Sequence, residues 1–301
     1  MKTTSKGMIA VVLAAASIGH LQAKDQNEDK GGKSKANHRD DGHGRDDSPG
    51  RRLDVVGLTL DQRILRFDEY SPGRAKSSEP ISGLTGGDTA LVGIDYRVQD
   101  GKLYGGGNAG GIYTVDPQTA VAVFVNRLSV ALSGTSFGVD FNPAADRLRV
   151  ISDTGQNLRH NVNAGGVTLV DGMLNYTAGS PAQSISGAAY TNNDLDPTTA
   201  TNLYDIDTAL DQVVLQSPPN AGSLAATGKL TVDTSLETGF DIYSTLRNGV
   251  TVDIEALASL SSPTGTASLY SVNLPTGKVT WRGTFQPSDL VMDIAIPLDQ
   301  L

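Results

Sequence analysis

The chain has 301 residues, no cysteine, 34 glycines, 5% aromatic residues and a formal net charge of −9. The lack of cysteine excludes both disulfide support and a lipid-modified cysteine anchor. The acidic balance excludes a domain-wide electrostatic footprint for DNA, RNA or an anionic membrane.

At the start, Lys2 and Lys6 precede an apolar, small-residue run from Met8 to Ile18, followed by Leu21-Gln22-Ala23. The run is too short to span a bilayer and reads as an export signal over residues 1–23, leaving no stable membrane insertion after cleavage. Residues 24–52 carry eight Lys or Arg and seven Asp or Glu among Gly, Asn and His. Nothing there can nucleate a core, so the sequence predicts a disordered, charged, Gly-rich spacer. His38 and His43 in that spacer match no closed metal site. The remaining 249 residues, 53–301, hold 14 Lys or Arg against 26 Asp or Glu, a net −12. That length suffices for one well-buried domain. The expected location is secreted or periplasmic.

Beyond residue 52 the sequence repeats. An apolar or aromatic pair ending in Asp or Asn recurs as Ile64–Asp68, Ile112–Asp116, Arg159–Asn163, Leu203–Asp207 and Leu269–Asn273, with starts 48, 47, 44 and 66 residues apart. A second element precedes four of these copies: Gly93-Ile94-Asp95-Tyr96, Gly138-Val139-Asp140-Phe141, Gly187-Ala188-Ala189-Tyr190 and Gly239-Phe240-Asp241-Ile242. The clearest copy predicts strands at Phe137–Phe141, Arg147–Ser152, Leu158–Val162 and Val167–Val170, broken by Asn-Pro, Asp-Thr-Gly and Asn-Ala-Gly turns. Four antiparallel strands in roughly 40–50 residues make one propeller blade.

The ends complement one another. Met292-Asp293-Ile294-Ala295 is an inner-strand element with no blade after it, whereas the copy at Val55–Asp68 lacks such a strand. The predicted fold is therefore all-β, a single five-bladed β-propeller closed by strands from both termini. Six blades result if the long interval between Asp207 and Leu269 hides a degenerate one. Ile254–Leu260 within it is the best helical candidate, read as decoration on the ring.

Asp95, Asp140 and Asp241 hold equivalent positions, Asp293 joins them, and Ala189 breaks the series. On innermost strands these carboxylates converge on one axis. Clustered carboxylates raise one another's pKa, recruit a hard cation such as calcium, or accept backbone N–H bonds. A metal site of Asp95, Asp140 and Asp241, a structural role and a catalytic set of all four aspartates are the readings open here. Arg147 and Arg149 alternate on one strand and, with Arg159, form a candidate anion-binding patch or an ordinary ion-paired strand face. Asn192 and Asn193 lie in an exposed-loop candidate suited to ligand contact. His160 is the lone histidine of the domain and holds a slot filled elsewhere by Tyr113 and Tyr204. There is no nucleophile elbow, phosphate loop or dinucleotide fingerprint.

Leu91–Gly107, Gly134–Asn161, Gly187–Asn193 and Thr201–Leu224 together resemble the family of the domain of unknown function 4394, over roughly Val56–Pro297. The resemblance implies a bacterial, often exported, propeller-like domain and carries over no activity, cofactor or catalytic residue. His160, Val162 and Ala189 depart from the family's usual pattern. The leading reading is noncatalytic binding of an extracellular protein or glycan, or a structural role. The alternative is a glycan-directed hydrolase using the axial aspartates.

Overall fold

A computed structural model describes residues 52–300; the predicted export signal and nearly all of the spacer lie outside the described residues. In chain order the strands are β1 (Asp54–Thr59), β2 (Arg63–Asp68) and β3 (Ser77–Pro80), then β4 (Leu91–Arg97), β5 (Lys102–Gly107), β6 (Gly111–Val115) and β7 (Ala122–Arg127). Next come β8 (Phe137–Asn142), β9 (Arg147–Ser152), β10 (Asn157–His160), β11 (Thr168–Val170) and the short pair β12 (Asn175–Thr177) and β13 (Ser180–Pro181). The last are β14 (Ile185–Tyr190), β15 (Leu203–Asp207), β16 (Gln212–Gln216), β17 (Leu224–Lys229), β18 (Thr238–Arg247), β19 (Val250–Ser261), β20 (Ala267–Val272), β21 (Val279–Thr284) and β22 (Val291–Ala295).

These strands form five four-stranded antiparallel sheets, ordered β22-β1-β2-β3, β4-β5-β6-β7, β8-β9-β10-β11, β14-β15-β16-β17 and β18-β19-β20-β21. They are blades one to five of a five-bladed propeller. The innermost strands β22, β4, β8, β14 and β18 neighbour one another in a ring. Blade one takes its inner strand from the far end of the chain: Val56 pairs with Ala295 and Leu58 with Asp293. Closure thus hides the inner edges that an open set of blades would expose.

The core lies in layers between adjacent blades. Val55, Phe67, Leu257 and Ile294 pack between blades five and one, and Leu58, Ile94, Leu103 and Val115 between one and two. Phe141, Val150 and Leu158 face Ile112 between two and three, and Ile206, Val213, Phe240 and Ile242 meet between four and five. The central residues of each inner strand are buried on both faces, which is why they read as a largely apolar run broken chiefly by Gly and Asp.

The long interval contains no sixth blade. Its extra residues lengthen β18 and β19 into a hairpin of ten- and twelve-residue strands. Ile254–Leu260 is strand rather than helix: Leu257 lies opposite Asp241 and Ser271, so pairing on both sides overrides the local helical preference of an Ala- and Leu-rich stretch. Among the described residues the one helical segment is a 3-10 turn at Pro219–Ala221, and no helix is long and apolar enough to cross a membrane.

Candidate functional site

The repeated glycine explains how the axis is built. It lies within the inner strands, not in a turn before them, and it permits close approach between blades. A Cβ on Gly138 would sit 2.7 Å from the Ala188 backbone nitrogen, and one on Gly239 would meet the Asp293 backbone at 2.6 Å. With the glycines facing the next strand, Asp95, Asp140 and Asp241, each two residues after its glycine, project close enough to reach that strand's backbone.

The carboxylates use this reach in a relay. Asp95 accepts the Phe141 N–H at 2.7 Å, Asp140 the Tyr190 N–H at 3.1 Å, Asp241 the Ile296 N–H at 2.6 Å and Asp293 the Ile94 N–H at 2.8 Å. Each bond crosses from one blade to the next. Asp241 and Asp293 also accept the N–H of the following residue, Ile242 and Ile294. Four of the five seams are stapled this way. At the fifth, Ala189 packs with Phe240 and Ile242. There the polar link shifts to Asn193, whose side chain donates to the Ile242 carbonyl at 3.0 Å and whose backbone N–H donates to the Ser244 hydroxyl at 2.9 Å.

Three of the aspartates meet. One oxygen each from Asp95, Asp140 and Asp241 lies within 4.8 Å of the others. All four axial aspartates are between 2% and 5% exposed. Burial, reinforced by the neighbouring carboxylates, holds Asp95 and Asp140 well above the usual carboxylate range. Burial also raises Asp293, and it pushes Asp241 up to about 6. An ionised carboxylate accepts about four bonds. The backbone donors at the axis occupy only part of that capacity, so a hard divalent cation suits the cluster. The separation also fits a retaining glycosidase pair, with carboxyl groups roughly 5 Å apart, but that chemistry needs a sugar between them. At 2–5% exposure these groups offer no such access.

The other expected site residues are dispersed. Arg149 is buried between blades three and four, donating to Tyr190 at 3.2 Å, Asn157 at 2.7 Å, Asp171 at 2.6 Å and Asn220 at 2.8 Å. Arg159 shares Asp171 and leaves about a third of its side chain exposed. Arg147 donates to the carbonyls of Ala145 and Asp146. The Asn192 side chain donates within its own loop, to the Ala200 carbonyl. His160 is fully buried between Thr168 and Asn126, each at 3.0 Å, and burial lowers it to about 4. It is therefore neutral at physiological pH.

One residue escaped the sequence reading. Asp205 sits opposite Ala188 and Val214 on β15, in the layer between blades three and four. It is fully buried, and neither oxygen has a hydrogen-bond partner. Burial holds it well above the usual carboxylate range, with Arg149 opposing. The available signal was positional. The other four repeats carry Arg66, Thr114, Asn161 and Ser271 in that slot, all half-buried.

A model of the family described as domain of unknown function (DUF4394) matches residues 63–295. No curated protein matches the chain. Among solved structures, Kuenenia stuttgartiensis hydrazine synthase aligns at 9% identity and a TM-score of 0.41, covering 68% of this chain and 52% of that one. An auxiliary nutrient binding protein from Bacteroides ovatus aligns at 14% and 0.37, covering 74% and 57%. Apo AztD from Citrobacter koseri aligns at 11% and 0.38, covering 79% and 84%. This chain therefore spans little more than half the length of the first two.

Proposed function

The chain belongs to the DUF4394 family, and from that premise we propose that it is a noncatalytic, extracytoplasmic propeller that binds an extracellular protein or glycan or serves a structural role. The axial aspartates hold its ring together and bind calcium. The observation that carries this reading is the relay of inter-blade bonds from Asp95, Asp140, Asp241 and Asp293 to backbone N–H groups in a buried axis. Carboxylates committed to backbone donors and closed to substrate serve a scaffold better than a hydrolase.

The cation follows from charge. Three converging carboxylates have no Lys or Arg bonded to them among the described residues. Buried negative charge without a counter-charge is costly, and calcium's oxygen coordination at about 2.3–2.6 Å suits carboxylates. Ligand contact then falls to the outer surface, where Arg147, Arg159 and the loop carrying Asn192 are candidates. Arg149 and Asn193 are taken up by links between blades. Export by residues 1–23 and a spacer over 24–52 complete the reading, and N-terminal sequencing of protein recovered outside the cytoplasm tests the cleavage.

Asp140→Asn separates staple from ion, since the amide keeps an acceptor for Tyr190 N–H and loses the charge. We expect calcium to raise the thermal midpoint of the wild type, and this increment to fall at least severalfold in Asp140→Asn and Asp95→Asn. A broad glycan panel should show no hydrolysis. Hydrolysis that disappears in Asp95→Asn would overturn the noncatalytic reading, and equal midpoints with and without calcium would remove the ion.

A further inference from the structure

The outer rim of the ring is uneven. The outermost strands of blades one, four and five read SSEP, LAATGK and VTWRGT; the first two expose no large apolar side chain, and the third exposes Trp281, at 61%, as its one large apolar side chain. Blades two and three end in β7 and β11, which pair only with β6 and β10. There Val123, Phe124 and Val125 are 59%, 46% and 36% exposed, and Val167, Leu169 and Val170 are 60%, 45% and 66% exposed. The two strands adjoin: Asn126 donates to the Asn161 carbonyl at 3.2 Å, and the Thr168 hydroxyl accepts the Ser129 N–H at 2.9 Å.

We infer that this rim of blades two and three is a self-association surface, covered by the same rim of a second copy of the chain. Two observations choose that occupant. First, the six side chains, which flank the free edges of the two strands on both faces, together expose on the order of 500 Å² of surface, comparable to a monomer's largest patch. Adding a polar rim of Asn126, Arg127 and Arg159 approaches the ~800 Å² per partner of a standard interface. Second, charge permits self-contact here. Residues 53–301 carry 26 Asp or Glu against 14 Lys or Arg, yet residues 120–134 and 154–170 contain no acid. Elsewhere two copies would set acid against acid; at this rim the flanking charges, Arg127 and Arg159, are each paired with an acid of their own chain, Asp88 and Asp171.

An isologous pair follows, with each β7 meeting its counterpart across a two-fold axis. A bulge opposite Ile112 and Tyr113 limits added ladder bonds to the first half of β7, so side-chain burial carries most of the contact. Covering the rim also removes an unprotected apolar edge, a common route to aggregation.

The test uses the full chain in multi-angle light scattering and sedimentation velocity across a concentration series. We expect a mass twice that of the monomer, and at least tenfold weaker association in Val170→Glu and Phe124→Glu. Phe124 packs edge-to-face on Tyr113, so Val170→Glu, at a residue two-thirds exposed, guards against misfolding. Because the chain has no cysteine, Val123→Cys gives a clean second readout. It should crosslink under mild oxidation, whereas Thr280→Cys on the outermost strand of blade five should not. A monomer at every concentration, a dimer unaffected by both glutamates, or crosslinking at Thr280 in place of Val123 would each overturn the inference.

Discussion

Asp205 and Asp140 are buried to the same degree but provided for differently: Asp140 accepts a backbone N–H, whereas Asp205 has no partner. The consequence is a pH-dependent cost. Asp205 binds its proton more tightly in the folded than in the unfolded state. Its contribution is therefore most favourable below the unfolded carboxyl value of about 4, and is lost as pH rises towards the raised folded value. An amide never ionises, so Asp205→Asn should exceed the wild type at pH 7 by about 1–3 kcal/mol. The advantage should vanish below pH ~4. Urea unfolding at the two pH values checks this, and an unchanged or lower stability at pH 7 would refute it. Arg149 is the contrasting case. Arg149→Met should cost about 1–3 kcal/mol, because it removes the donor to the Asn157 and Asn220 side-chain oxygens in a buried cluster and leaves Asp171 with Arg159 alone. Denaturant midpoints at constant slope measure that loss.

Among the elements, the glycines of the inner strands set the tolerance of the ring. Gly138→Ala drives a methyl into the Ala188 backbone, so we expect a loss of about 1–3 kcal/mol. Gly106→Ala on β5 meets only Val92 at 3.8 Å and should be tolerated, which makes the pair a control in thermal melts. The strands of blade three were legible from sequence almost to the residue, because Asn-Pro, Asp-Thr-Gly and Asn-Ala-Gly turns bound them. The aspartate series was legible too, since a repeat places equal residues at equal depth. Three features were not. Whether Ile254–Leu260 forms strand or helix is decided by β18 and β20, distant in sequence. The β12–β13 hairpin belongs to no repeat, and its Tyr176 hydroxyl finds Asp207 only in three dimensions. That Asn193 takes over the staple missing at Ala189 required knowing that both face β18.

For the whole molecule, closure depends on one five-residue strand. Truncation before Val291 removes Asp293 from the axis and Val291, Ile294 and Ile296 from the layer between blades five and one. It also leaves β1 as an open edge. We expect such a chain to aggregate or to lose cooperative unfolding, read by circular dichroism and light scattering. A soluble monomer with an unchanged midpoint would show that the ring does not need the closure.

The pairing of β1 with β22 also decides how the domain responds to a pull. The two strands run antiparallel, and the entry at Asp54 and the exit at Ala295 lie at the same end of their ladder. Tension between those ends would part the strands one bond at a time, like a zipper, instead of loading all the bonds at once. The domain should yield at low force by releasing its last strand first, a weak link for any protein strung in tension through both ends.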